Sequence, residues 1–461
     1  MNSLFVALLL SADLTPQMQS AMDHISAQSL RGHLSFIASD LLEGRATPSR
    51  GLDLAAEYIA AQFRRAGLEP VGDDGYFQTA TLMQREPNWD GFEMTVTSGA
   101  KTIRIEKSEA YLLPESAMNL RDVPIVLADP NTPAEQVRGK IALLTANPRG
   151  RGNFAQASLV LINSANLPTE PQIRDPEAGP GRGATNIINK PELVAFLKEN
   201  PDARLSVHMA ASTDRPVKVH NVAGLLRGSD PQLSSTYVLL TAHYDHLGTR
   251  ATGDDKIFNG ANDDGSGTVS VVEIAGALAA VEKHPARSIL FMTFFGEERG
   301  LVGSRYYGRH PIVPLDKTVA DLNLEQIGRT DATDGPQIGT ASITGFDFSE
   351  LPGILADAGK SAGIKVYKNE EASDAYFARS DNQALADVGI PAHTLCVAFD
   401  YPDYHKAGDH WEKIDYANMA KVDRAVALAL LHVASDAPPP KWNESNSKAK
   451  KYADAAKKLH P

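Results

Sequence analysis

Cysteine is almost missing: Cys396 is the single one in the chain, which excludes an intramolecular disulfide and any zinc cage built from thiolates. A metal held by this chain must therefore use histidines and carboxylates. Basic excess is lacking too. With 45 Lys and Arg against 57 Asp and Glu, the formal charge is −12, the opposite of the basic face by which a nucleic-acid partner is bound. No apolar run has the length of a membrane-spanning helix, so no integral span is expected, and no repeat at a solenoid period is found. Cys396 lies within the apolar run Ala392 to Phe399 and reads as a buried, inert thiol.

What is present is an ordinary globular composition, 43% hydrophobic and 22% charged over 461 residues. That length exceeds what one hydrophobic core normally fills, so two domains are expected. The opening residues 1–12 form a short apolar core ending in Ser11 and Ala12. They lack a basic start but read as a signal-like segment, which implies a secreted or periplasmic protein.

From about Asp23 to Gly67 the chain reads helical, with Leu52, Ala55, Ala56, Ile59 and Phe63 at helical spacing. Between 108 and 215 the texture changes to short β-type runs such as Val123 to Leu127 and Lys140 to Leu144, interrupted by the Gly/Pro/Arg-rich stretch 176–183. This region reads as an inserted β-rich domain, flanked by the main domain at 20–107 and 219–436. From Val219 onward, strand and helix alternate: strands at Tyr237 to Ala242, Ser288 to Phe295, Val319 to Leu324 and Ala392 to Phe399, and a helix from Thr268 to Val281. Such alternation predicts an α/β fold with a mixed, mostly parallel central sheet flanked by helices. Residues 437–461 read as a charged tail, Lys- and Ala-rich from Lys448 to Lys458 and forming a solvated helix or a frayed end.

Chemistry gathers where those strands end. Ligands in open α/β sheets bind at the carboxyl ends of the strands, and the first strand runs into His243-Tyr244-Asp245, a ligand-type imidazole with a carboxylate able to orient it. The following loop, Phe258 to Gly267, is rich in glycine and offers Asp263 or Asp264; an Asp ahead of a helix is more often only its N-cap. The next strand ends in Gly296-Glu297-Glu298. Glu325 and then Tyr404-His405 follow the last two. An isolated Glu-Glu pair is usually a solvated turn, but two imidazoles and a surplus of carboxylates at successive strand ends form the donor set of zinc and related divalent ions.

The series His243-Tyr-Asp245, Gly-Ala-Asn-Asp263-Asp-Gly-Ser-Gly, Glu297-Glu298, Asn-Leu-Glu325 and Tyr404-His405 resembles the M28 family of co-catalytic zinc aminopeptidases. The inserted region, with Val137 to Leu144, is similar to a protease-associated domain. The resemblance implies a zinc exopeptidase-like fold and two Zn2+ ions bridged by Asp263. His243 and Glu325 would complete one site, Glu298 and His405 the other. Where Glu325 stands, the family often has Asp, so this ligand reaches one methylene further. It further implies metal-bound hydroxide as nucleophile, Glu297 as general base, Tyr404 as oxyanion stabiliser, Asp245 orienting His243, and Arg379 at the substrate's amino end. The substrate would be a peptide with a free N-terminus. A mono-zinc glutaminyl cyclase, a carboxypeptidase on the same scaffold and a non-catalytic interaction protein are the competing readings.

Overall fold

The computed structural model describes residues 14–145, 154–168, 171–178, 186–250 and 252–460. The signal-like segment 1–12 and most of the Gly/Pro/Arg-rich stretch lie outside them. The chain divides into two compact units, one formed by the segments up to Ala80 and from Lys218, the other by Thr81–Val217.

In the first unit, four parallel strands carry the residues of interest: β1 (Tyr237–His243), β2 (Ser288–Phe294), β3 (Thr318–Leu324) and β4 (Ala392–Cys396). They lie in the order β4-β3-β1-β2, and every pairing among them is parallel. Antiparallel neighbours flank this block, residues 222–226 beside β2 and Thr340–Ile343 beside β4. The expected mixed sheet is thus present, but it is parallel only in its central block, with antiparallel pairings such as those of 69–70, 222–226 and 340–343 outside it. β2 is buried along its whole length, as its unbroken apolar run requires of a strand covered on both faces. β4 stops at Cys396, three residues before the apolar run does, and Cys396 is buried.

Helix α1 (Gly267–Ala279) is apolar nearly all round and buried on all sides, the pattern of a helix inside a core. Its one acid, Glu273, is accommodated by bonds from the Ser26 backbone N–H at 2.9 Å and the Ser29 hydroxyl at 2.6 Å. The stretch read as helical before Gly67 is broken into Pro16–His24, Ala27–Ile37 and Arg50–Arg65, and Leu52, Ala55, Ala56, Ile59 and Phe63 are buried on the last.

The charged tail is a correction. Trp442 is buried and donates from Nε1 to the Gly389 carbonyl at 2.8 Å, Tyr452 stacks on it at 5.1 Å, and the helix Lys450–Leu459 turns Tyr452 and Ala453 inward. Its lysines face outward, which is why composition alone reads as solvated. The β-rich unit also begins earlier than 108. Strands Glu93–Ser98 and Lys101–Arg104 pair with each other, and the first pairs with Arg204–Met209, so the chain is committed to this unit from Thr81. Its core gathers Val96, Ile125, Leu143, Leu161 and Leu205. Among the described residues no helix is long and apolar enough to cross a membrane.

One buried histidine sets a pH response remote from the strand ends. His393 on β4 is fully buried between the Thr344 carbonyl, 2.7 Å from Nδ1, and the Ser349 hydroxyl, 2.6 Å from Nε2. Burial outweighs the Thr344 bond and lowers it from 6.5 to about 4. The folded value lies below the unfolded one, so the unfolded chain binds the extra proton first. The stability this represents, about 3 kcal/mol at most, is complete above pH 6.5 and lost as pH falls towards 4. In His393→Gln, thermal unfolding followed from pH 7 to pH 4 should therefore show a shallower acid slope than wild type; parallel slopes would contradict this.

Candidate functional site

The carboxyl ends of β2, β3 and β4 open into one cavity of about 350 Å3, lined among others by Asp263, Glu297, Glu298, Glu325, Tyr404 and His405. Each arrives by a sharp local path. Beyond β2 the chain turns at Gly296, whose φ of +70° suits glycine, and this aims Glu297 and Glu298 back over the sheet end. Gly260, at φ +56°, leaves room that a side chain would take from the His246 ring, 2.5 Å from where a Cβ would stand.

Asp263 sits between two imidazoles. Its Oδ1 is 3.4 Å from His243 Nε2 and its Oδ2 3.1 Å from His405 Nε2. Around His243 stand Glu325 Oε1 and Glu297 Oε2, both at 4.0 Å. Glu298 Oε1 lies 3.4 Å from His405 Nε2 and only 2.9 Å from Nδ1 of His246. Two groups with metal-holding spacing result, His243-Asp263-Glu325 and His246-Asp263-Glu298, with Asp263 common to both. His243 Nε2, Asp263 Oδ2, Glu298 Oε1 and both nitrogens of His246 are buried without a hydrogen-bond partner. Buried polar atoms left unpaired are costly. Pairs that approach this closely yet form no hydrogen bond have the arrangement of ligands converging on a shared cation, so the residues fit a metal.

The loop is held from behind. Asp264 faces away from the cavity and accepts from the backbone N–H groups of Gly267 at 3.0 Å and Gln326 at 3.1 Å. Asp409 accepts from the N–H groups of Asn262 at 2.9 Å and Asp263 at 3.2 Å, and from the Tyr401 hydroxyl at 2.9 Å. Asp245 lies against His243 Nδ1, with its carbonyl at 3.2 Å and Oδ1 at 3.5 Å, and the same Oδ1 accepts the Glu297 N–H at 3.0 Å. It thereby ties the end of β1 to the end of β2.

Crowding of carboxylates governs the ionisation. Burial and Asp263 oppose ionisation of Glu298, but His246 and His405 outweigh them and hold it at about 2. Burial likewise works against Asp263, yet His243 and His405 keep it well below the usual carboxylate range. Glu325 is pushed up to about 7, chiefly by burial and also by Asp263. Glu297 is raised well above its ordinary value, first by burial and then by Glu325, Asp381 and Glu298. Burial lowers His405, but Asp263 and Glu298 draw it up to about 10. So much negative charge in one place is compensated by protons here, and equally by cations.

Tyr404 is 37% exposed and stacks on the His405 ring at 4.0 Å. Arg379 lines the same cavity and lies over the Tyr376 ring at 4.3 Å. The structure thus brings His243, Asp245, Asp263, Glu297, Glu298, Glu325, Arg379, Tyr404 and His405 to one place.

Two contributors escaped the sequence. His246 is fully buried and follows His243 by three residues, a spacing that by itself carries no signal of a shared site. Arg45 is fully buried and donates to the carbonyls of Ile37, Tyr244, Asn259 and Gly260 at 2.6 to 3.0 Å. It clamps both site loops from far away in the chain, and no local pattern signals that.

Comparison with known proteins gives a consistent picture. Residues 221–430, which contain every one of these strand ends, match the model of Peptidase family M28. A probable zinc metalloprotease of Pyricularia oryzae is 37% identical over 218 residues, 45% of this chain and 40% of that protein. A probable leucine aminopeptidase 2 of Aspergillus oryzae is 27% identical over 256 residues, 50% of this chain and 47% of that protein. The chain therefore spans less than half the length of these curated relatives. Among solved structures, the aminopeptidase from Aneurinibacillus sp. strain AM-1 has the same fold, with a TM-score of 0.62 at 19% identity over 92% of this chain and 97% of that one.

Proposed function

We propose, on the premise that the chain belongs to Peptidase family M28 through residues 221–430, that it is a zinc-dependent exopeptidase removing the N-terminal residue of peptides. The observation that carries this reading is the pair of imidazole-carboxylate groups sharing Asp263, with their buried donor atoms unpaired. In it, His243, Asp263 and Glu325 would hold one ion, and Asp263, Glu298 and His405 a second, with His246 against Glu298. Bound there, zinc supplies a Lewis acid for the scissile carbonyl and lowers the pKa of water from about 15.7 towards about 7.

The remaining work falls to the chain's own groups. Glu297 takes a proton from the attacking water and passes it to the amine nitrogen as the C–N bond breaks. The Tyr404 hydroxyl, at the cavity mouth beside His405, donates to the oxygen that becomes negative. Asp245 fixes the ring of His243 through Nδ1 and leaves Nε2 free towards Asp263. The unit Thr81–Val217 is read as a protease-associated-like insertion.

His246 is the imidazole of the second group. With Nδ1 at 2.9 Å from Glu298 Oε1, it holds that carboxylate or joins it on the ion, and either role strengthens zinc there. His246→Ala should weaken the second site about 10- to 100-fold, lowering zinc after dialysis from two per chain towards one. Two retained ions at wild-type affinity would remove His246 from the site.

The activity is tested with aminoacyl anilides, their N-acetylated forms and glutaminyl peptides, each assayed with zinc and after chelation. Zinc-dependent release from unblocked substrates alone is expected. Equal cleavage of the blocked forms would overturn amino-end recognition, and cyclisation of the glutaminyl peptides without hydrolysis would make the protein a cyclase.

A further inference from the structure

We infer that Arg379 recognises a carboxylate on the substrate, so that the preferred peptides are anionic near the scissile bond. The inference rests on the exopeptidase reading and narrows its substrate class. A guanidinium has five donors and no acceptor and stays charged. Its side chain therefore repels an ammonium, so at the amino end that the resemblance gives to Arg379 only its backbone carbonyl can serve, and the guanidinium is left for a different group. The carboxylates of the cavity, with Glu297, Glu325 and Asp400 on its wall, suit the amine.

Arg379 is the one Arg or Lys among the residues lining the cavity. Among the described residues it forms no ion pair, although Asp400 and four other acids share the cavity with it. Two other arginines near the site are spoken for: Arg329 pairs with Asp331 at 2.5 Å and Asp403 at 3.0 Å, and Arg45 is spent on backbone carbonyls. Arg379 is also held in place. Its guanidinium lies 4.3 Å over the Tyr376 ring, which itself packs edge-on against Phe399 at 5.0 Å. Its backbone N–H donates to the Tyr376 carbonyl at 3.0 Å, and the adjoining Ser380 hydroxyl accepts from Asn323 at 2.8 Å. A cation stacked on an aromatic face and left without an acid keeps its donors for a planar acceptor, and carboxylate geometry matches that fork.

Two sources present this group: the side chain of an acidic N-terminal residue, and the terminal α-carboxylate of a short peptide. Two pairs of substrates separate them. Glutamyl-alaninamide is compared with the same compound carrying a γ-methylamide, and leucyl-alanine with leucyl-alaninamide, on the zinc-loaded enzyme. In at least one pair the acid should exceed its neutral counterpart in kcat/KM by about 10- to 100-fold, mainly through KM. Arg379→Gln should bring that ratio to near one, and Arg379→Lys should restore part of it. Ratios near one in the wild type, or a ratio that Arg379→Gln leaves standing, would overturn the inference. The same four compounds are titrated calorimetrically. If none is hydrolysed, the exopeptidase reading fails, while tighter binding of the acids that disappears in Arg379→Gln still upholds the role of Arg379, and binding indifferent to charge refutes it.

Discussion

Replacing Glu297 by Gln is expected to lower kcat by about 10^2- to 10^4-fold, the range of a lost general base, with zinc content unchanged. The amide keeps the size of the side chain and leaves the backbone bond from Glu297 N–H to Asp245 intact, so the strand end stays in place. What it removes is the ability to take a proton. Glu297 belongs to neither group with metal-holding spacing, although its Oε2 comes within 4.0 Å of His243 Nε2. Neighbours in sequence, Glu297 and Glu298 should therefore fail differently. Glu298→Gln should deplete zinc, and Glu297→Gln should spare zinc and lower turnover. Steady-state kinetics and metal analysis on the same preparations read both, and undiminished kcat in Glu297→Gln would take the base away from this residue.

Asp263→Ala should be more drastic, costing both ions and all measurable activity. Its two carboxylate oxygens face different imidazoles, Oδ1 towards His243 and Oδ2 towards His405, so one substitution removes a donor from each group. Glu325→Ala by contrast touches the His243 group alone. Dialysed protein analysed for zinc should hold two ions in the wild type, about one in Glu325→Ala and none in Asp263→Ala. Retention of two ions by Asp263→Ala would show that no residue is shared between the sites. Since Asp263 lies on a loop pinned by Asp409 through backbone N–H groups, the comparison should include circular dichroism to confirm that the fold persists.

Much of this was legible in the chain because the deciding signals are local. β1 and β2 are apolar almost throughout, as parallel strands covered on both faces are, so the last apolar residue of each marks where polar chemistry can begin, whereas β3 buries Asp321 and Asn323 within its length. In β4 the apolar run continues to Phe399 while strand pairing stops at Cys396, and Phe399 lines the cavity instead of the sheet. The remaining misses share one cause, contact between segments distant in sequence. Arg45 reads as an ordinary exposed arginine until four carbonyls from three segments close on it. Trp442 and Tyr452 are single aromatics in a lysine-rich stretch, and only packing against Phe377 and His393 reveals an anchor. His246 lost its meaning beside a tyrosine and an aspartate, because the Glu298 carboxylate it meets arrives from another strand.

The central claim, that two ions shared by Asp263 drive removal of an N-terminal residue, is tested most directly by titrating metal-free enzyme with zinc while following release from an unblocked aminoacyl anilide. Activity should stay low through the first equivalent and reach its plateau at two per chain. A plateau at one equivalent, or turnover undiminished without zinc, would contradict it.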